Sequence, residues 1–544
     1  MTEKAQQPTV SLGVYADDVT NAVAGLERED VVSRIWAGDH TVWRKEPTEI
    51  ADRLGWLTII GQVREQMVEL KAYGNEMREA GFKHIVVLGM GGSSLGPEVL
   101  RQSIGSTPAF ARLIVLDSTV PSRVQDVRNA IDPAKTLFIV SSKSGGTIEP
   151  NTLYKYFRAQ VEEEVGTEQA GSHFIAITDP KTSLVNLAKQ EGFRRIFENQ
   201  ADIGGRYSVL SYFGMVPAAL IGVDLEKLLD RASEIAASSG ASMDIQRNPA
   251  AWLGAFMAAT AIKGRDKLTL VSSPTVASFG LWAEQLLAES TGKDGKGIIP
   301  IAGEPLLETA AYGDDRVFVY LRMDGDDNDA SDVATERLAA QGHPVARLNL
   351  RDAYDVGAEF FRWEFATAVA GALMNIHPFD QPDVQAAKDA TNKVLAGYKK
   401  SGKLPDSTDS DTLPDLLGKA QAGDYLAVMA YAEQTNGVDV AIAELRRRVM
   451  QDHKVATTLG YGPRFLHSTG QLHKGGPNTG LFLQLTVSDD LDLDVPGQDF
   501  SFATLARAQA IGDYQTLKAA SRRVVRVDLG GDAETGLLRL LASF

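Results

Sequence analysis

The stretch HIVVLGMGGSSLGP (residues 84–97) decides the fold. A short apolar run, residues 84–88, passes into a turn of glycines and hydroxyls, Gly89-Met90-Gly91-Gly92-Ser93-Ser94, which opens a helical pattern. LFIVSSKSGGTIEP (residues 137–150) repeats the arrangement, with residues 137–140 leading into Ser142-Lys143-Ser144-Gly145-Gly146-Thr147. A strand, a glycine-rich turn and a helix N-terminus make an anion site, because first-turn N–H groups lack helical partners and the dipole favours negative charge there. Two such turns in one domain point to a phosphorylated ligand. The competing structural reading is a tight turn capped by Thr147 with Lys143 in water.

Outward from these turns, apolar runs alternate with helical stretches: HIVVLG, RLIVLD, TLFIVS, HFIAIT and RRIFEN. Such alternation implies crossover units and a doubly wound parallel sheet covered on both faces. After an alanine-rich helical bridge the pattern restarts with KLTLVSS, GIIPIAG, RVFVYLR and PVARLNL. The fold class is therefore α/β. The expected organisation is a helical N-terminal segment (1–80, with helices over 18–36 and 49–80), a first α/β domain (81–211) and a second one that includes the bridge (212–400). A small C-terminal α/β portion (415–544) follows a Gly, Pro, Asp, Ser and Thr-rich linker over 399–414.

The 55 basic and 71 acidic residues give a net charge of −16, which argues against broad nucleic-acid or anionic-membrane binding. An anionic small ligand must then find a local positive site. The absence of cysteine excludes disulfides and thiolate chemistry and fits a reducing cytoplasm. The first ten residues lack a signal-peptide layout, and the apolar runs near 213–223 and 365–376 are too short to span a bilayer.

Ligands of open parallel sheets sit beyond the carboxyl ends of strands, where both turns should lie. A dinucleotide reading of the first turn fails, since the third glycine of G-x-G-x-x-G is Ser94, and no G-x-x-x-x-G-K-[ST] occurs. In the second turn Ser142, Ser144 and Thr147 provide hydroxyls and Lys143 a charge. Gly204-Gly205-Arg206-Tyr207-Ser208 could bring an always-charged arginine against the ligand. In LLAESTGK (residues 286–293) a helical run breaks at Gly292, which leaves Glu289 near a helix end, a place for a base that takes up and returns a proton. The ordinary alternative is an i,i+4 pair between Glu289 and Lys293. IHPFDQPDVQAAK (residues 376–388) places Gln381 before a helix that bears Lys388. FLHSTGQLHKGGPN (residues 465–478) holds His467 and His473, whose spacing does not suit joint metal chelation.

GMGGSSLGP, SSKSGGTIEP, GGRYS, LLAESTGK, PFDQPDVQAAK and LHSTGQ together resemble the phosphoglucose isomerase family, built from two sugar isomerase (SIS) domains. The C-terminal arrangement is most similar to the isomerase half of bacterial transaldolase–isomerase fusions. The resemblance implies two doubly wound SIS domains and interconversion of glucose 6-phosphate and fructose 6-phosphate through a cis-enediol, without metal or cofactor. It further implies a homodimer in the cytoplasm that takes a sugar phosphate, binding neither nucleic acid nor membrane. By the same resemblance Gly92, Ser93, Ser142, Lys143, Ser144, Thr147 and Gln381 hold the phosphate. Arg206 faces the C1 and C2 oxygens, Glu289 is the base, and Lys388 with His467 assists ring opening.

Two departures stand out. The family's usual order of glutamate, histidine and lysine becomes Glu289, Lys388, His467, and that histidine normally comes from the partner subunit; His473 is its rival here. Gly146 stands where bacterial relatives often have threonine. A non-catalytic SIS-domain sugar-phosphate sensor and an isomerase of another phosphosugar, such as mannose 6-phosphate, remain the alternatives.

Overall fold

The computed structural model of the protein describes residues 8–405, 411–488 and 491–543. In the first sheet β2 (His84–Gly89), β3 (Arg112–Leu116), β4 (Thr136–Ser141), β5 (Phe174–Thr178) and β6 (Arg195–Glu198) all run parallel, in the order β3-β2-β4-β5-β6. Ile85, Val86, Val87 and Leu88 are wholly buried, as a strand covered by helices on both faces requires. The chain leaves β2 towards β3 on one side and reaches β4 on the other, so a crevice opens between β2 and β4, where winding reverses. Both glycine turns follow these two strands, which places them side by side at that crevice.

The second sheet has the order β1-β10-β9-β7-β8, with β7 (Lys267–Ser272), β8 (Ile299–Ile301), β9 (Arg316–Met323) and β10 (Val345–Leu350) parallel. Its edge is β1 (Thr9–Ser11), paired antiparallel to β10. The N-terminal segment, expected as helical, thus adds a three-residue strand. Its first helical stretch divides into Ala16–Arg28 and Val31–Trp36 at Asp30, whose φ of 51° no helix continues through. The second begins only at Ile59 and runs to Glu79.

The third sheet, β12-β11-β13-β14, is formed by β11 (Tyr425–Tyr431), β12 (Ala456–Tyr461), β13 (Gly480–Thr486) and β14 (Arg523–Asp528), all parallel. β12 escaped the apolar-run reading because Thr457, Thr458 and Gly460 dilute it. Thr457 is nevertheless fully buried: its hydroxyl accepts from Arg446 at 3.0 Å and its N–H donates to Glu304 at 2.7 Å. Of the expected linker, residues 406–410 lie outside the described residues. The helix Val384–Ser401 ends on its near side at Gly402, whose φ is 66°.

The two longest apolar runs lie in the helices Tyr212–Leu220 and Val356–Met374, both largely buried. Among the described residues, no helix is long and apolar enough to cross a membrane.

One core acid gives a stability test. Glu284, buried on the helix Phe279–Thr291, is pushed up to about 8 by burial, opposed by Arg446 and by the N–H of Ala302. The unfolded chain ionises this group near its ordinary value and the folded chain does not, so the penalty is absent at acid pH and grows towards pH 8. Glu284→Gln is expected to gain on the order of 2 kcal/mol at pH 7 and almost nothing at pH 4.5. Urea denaturation at both pH values reads the difference, and an equal gain at each would show that ionisation is not the source.

Candidate active site

The two turns form one cradle. The helices that follow, Leu95–Ser103 and Ile148–Val165, carry no side-chain cap, so Thr147 is not the cap of the simple turn reading. Its hydroxyl instead accepts from Ser142 at 3.0 Å. Uncapped first turns leave N–H groups for an anion. Two glycines make the first turn possible. A Cβ on Gly92 would stand 2.0 Å from the Gly205 carbonyl oxygen, and one on Gly91, whose φ is +54°, would stand 2.6 Å from that of His467. Ser93 and Ser142 are buried while Ser144 is exposed. Lys143, expected beside the phosphate, is instead committed to the Asp179 carboxylate and, at 3.2 Å, to the Ala201 carbonyl.

Arg206 lies at the second part of the site, 2% exposed, and each of its nitrogens is in use. Nε donates to Ser290 at 2.8 Å, Nη2 to the carbonyls of Pro378 and Asp380 at 2.8 and 2.9 Å, and Nη1 to Gln381 Oε1 at 2.9 Å. Nη1 also stands 3.2 Å from Glu289 Oε1. Glu289 therefore pairs with an arginine distant in sequence and not with Lys293 one turn on. Lys293 turns to the Asp380 carboxylate at 2.6 Å and to the carbonyls of His377 and Asp380. Burial, reinforced by the neighbouring Arg206 charge, pushes its ammonium down to about 7. Gln381, expected at the phosphate, is placed at this arginine.

The third part comes from the loop after β12. Arg464 grips Asp117, just beyond β3, through two bonds of 2.7 and 2.8 Å. A short 3-10 turn, Arg464–His467, then brings His467 Nε2 to 2.8 Å from Glu149 Oε1. Burial disfavours the Glu149 charge, yet His467 and the Lys388 ammonium together hold this carboxyl below its ordinary range. Lys388 shares a cavity of about 240 Å³ with Ser144, Thr147, Glu149 and His467. His473 lies elsewhere, between Phe465 and Phe482, where burial keeps its imidazole far below its usual value and hence neutral.

Sequence reasoning did not single out Gln285 or Glu149, and it named Lys293 only as the ordinary i,i+4 partner of Glu289. Gln285 Nε2 donates to the His467 carbonyl at 2.7 Å and to Glu289 Oε2 at 3.1 Å, so it ties the histidine loop to the carboxylate. Its spacing of four from Glu289 on one helix was the available signal. Lys293 and Glu149 read as an ordinary helix-end lysine and a first-turn glutamate.

A switch-point cradle of glycines and hydroxyls beside a buried arginine–carboxylate pair, on two doubly wound sheets, defines a protein of the double sugar-isomerase (SIS) class. The phosphoglucose isomerase family model matches residues 58–296. A probable glucose-6-phosphate isomerase of Methanococcus maripaludis is 30% identical over 392 residues, covering 64% of this chain and 86% of that protein. The glucose-6-phosphate isomerase of Symbiobacterium thermophilum is 30% identical over 360 residues, 57% of this chain and 80% of that one. Among solved structures, a hypothetical protein of Thermus thermophilus superposes with a TM-score of 0.59 at 25% identity, over 72% of this chain and all of the other. A Chlamydia trachomatis glucose-6-phosphate isomerase shares the fold at 18% identity, with a TM-score of 0.58 over 70% of this chain and 86% of its own. The chain belongs to the phosphoglucose isomerase family.

Proposed function

We propose that the chain interconverts glucose 6-phosphate and fructose 6-phosphate through a cis-enediol. The observation that carries this reading is the contact of Glu289 with Arg206 at 3.2 Å, a base and a fixed cation at one point. Aldose–ketose isomerisation needs one base to take the C2 proton and return it at C1, and a cation facing the oxygens where negative charge develops. The cradle of Ser93, Ser142, Ser144 and Thr147 holds the phosphate away from the reacting carbons and so orients the open chain.

Ring opening belongs to His467 and Lys388. An ionised Glu149 accepts from His467 Nε2, which leaves the Nδ1 proton of the imidazolium for the sugar ring oxygen as the bond from that oxygen to C1 breaks, while the anomeric hydroxyl passes its own proton to water and becomes the carbonyl. Lys388 lines the same cavity and steadies the negative charge that builds on the anomeric oxygen. The homodimer and cytoplasmic setting implied by the resemblance form part of this reading.

Formation of glucose 6-phosphate from fructose 6-phosphate, followed through a coupled dehydrogenase, tests it; binding without turnover would favour a sensor. His467→Ala is expected to lower kcat of the folded protein on cyclic substrate about 10²-fold, and to lower the melting temperature as well because buried Glu149 loses its partner. His473→Ala should loosen the core around Phe465 and Phe482 while the folded fraction turns over normally.

A further inference from the structure

The C-terminal unit contributes His467 to the ring-opening half of the site, and its buried wiring to that half is more extensive than the His467–Glu149 contact. Gln509, on the helix Phe502–Ala519, donates from Nε2 to the same Glu149 oxygen at 2.7 Å. Behind it Thr119 donates its hydroxyl to Gln509 Oε1 at 2.8 Å. Thr119, Gln509 and Glu149 are all at most 3% exposed, so this chain of bonds is shielded from bulk solvent. Thr119 stands two residues after Asp117, the partner of Arg464. One short segment beyond β3 therefore fixes the C-terminal unit twice, once through the loop that carries His467 and once through Gln509. On the other flank Gln471 bonds the Gly292 carbonyl at 3.1 Å and Asp383 Oδ2 at 2.6 Å, which joins the histidine loop to the helix ends that bear Glu289 and Lys388.

We propose that the C-terminal α/β unit stands in for a partner subunit, completing the catalytic site within a single chain, with Gln509 as the residue that positions the Glu149–His467 pair. The proposal rests on the isomerase reading above. Gln509 fits the positioning role because its amide is oriented by Thr119: with Oε1 accepting, only the NH2 group can face Glu149. A donor aimed at the carboxylate favours its ionised form and fixes the oxygen on which His467 hangs.

Two measurements test this. Glu289→Gln and His467→Ala chains, each with its own tag, are co-expressed and the mixed species purified and assayed with fructose 6-phosphate. With both groups needed in the same chain, activity per chain is expected to stay at the mean of the two parents, about half that of His467→Ala. Recovery of about a quarter or more of wild-type activity per chain in the mixed species would show that the histidine acts across subunits, and would overturn the proposal. Substantial activity of Glu289→Gln alone would instead count against the isomerase mechanism, a distinguishable failure. Secondly, Gln509→Leu is expected to lower kcat about tenfold and to move the acid limb of the kcat/KM profile upward by about half a pH unit, since Glu149 loses a donor to its charged form. An unchanged pH profile in a folded Gln509→Leu protein would remove Gln509 from the positioning role.

Discussion

Glu289→Gln is expected to abolish turnover almost completely, with kcat lower by about 10³- to 10⁴-fold, while the fold and the phosphate cradle persist. Glutamine preserves the shape and its one carbonyl oxygen can still accept from Arg206, at the loss of the bond from Gln285 to the other oxygen, but it cannot take a proton from C2. KM should therefore change far less than kcat. A second readout is isotopic: wild-type protein in heavy water should place deuterium at C1 of fructose 6-phosphate and C2 of glucose 6-phosphate, and the variant should place almost none. Deuterium incorporation at the wild-type rate would assign the base to another group, with Lys293, held at about 7, the first to examine.

Arg206→Lys is expected to lose about 10²- to 10³-fold in kcat, although charge is conserved. The guanidinium satisfies Ser290, Gln381 and the carbonyls of Pro378 and Asp380 at once. A lysine ammonium has three donors at a single point and cannot reach all of these. The Asp380 carbonyl keeps its bond from Lys293, but a buried group such as the Pro378 carbonyl left without its donor is destabilising by about 1–3 kcal/mol, so unfolding should also come earlier in urea. Wild-type kcat in the lysine variant would mean that the charge alone matters and that the fork geometry does not.

The strand-turn-helix units around Gly89–Ser94 and Ser142–Thr147 were legible in the sequence because their chemistry is local: apolar run, glycine, hydroxyl, helix start. The same locality explains what escaped. Lys293 is four residues from Glu289, and nothing nearby reveals that Arg206, 84 positions from Ser290, takes the carboxylate while Asp380 takes the lysine. Glu149 looks like any acidic residue in a first helical turn; its histidine comes 318 residues later. β12 was hidden because its buried threonine is satisfied by Arg446 and Glu304 from elsewhere in the fold, so tertiary pairing took the place of apolar character. Gln381 shows how far a motif can carry: its segment was found, but the partner of its amide group is a matter of geometry.

That separation of 318 residues between Glu149 and His467 also has a meaning in time. A ribosome adding about 5–20 residues per second completes the phosphate cradle some tens of seconds before it makes the histidine, and Gln509 later still. During that interval the first sheet can form with both glycine turns in place, while the Glu149 carboxylate lacks the two groups that make its burial tolerable. Competence to turn the sugar over therefore arrives late in synthesis, with the unit that carries β12.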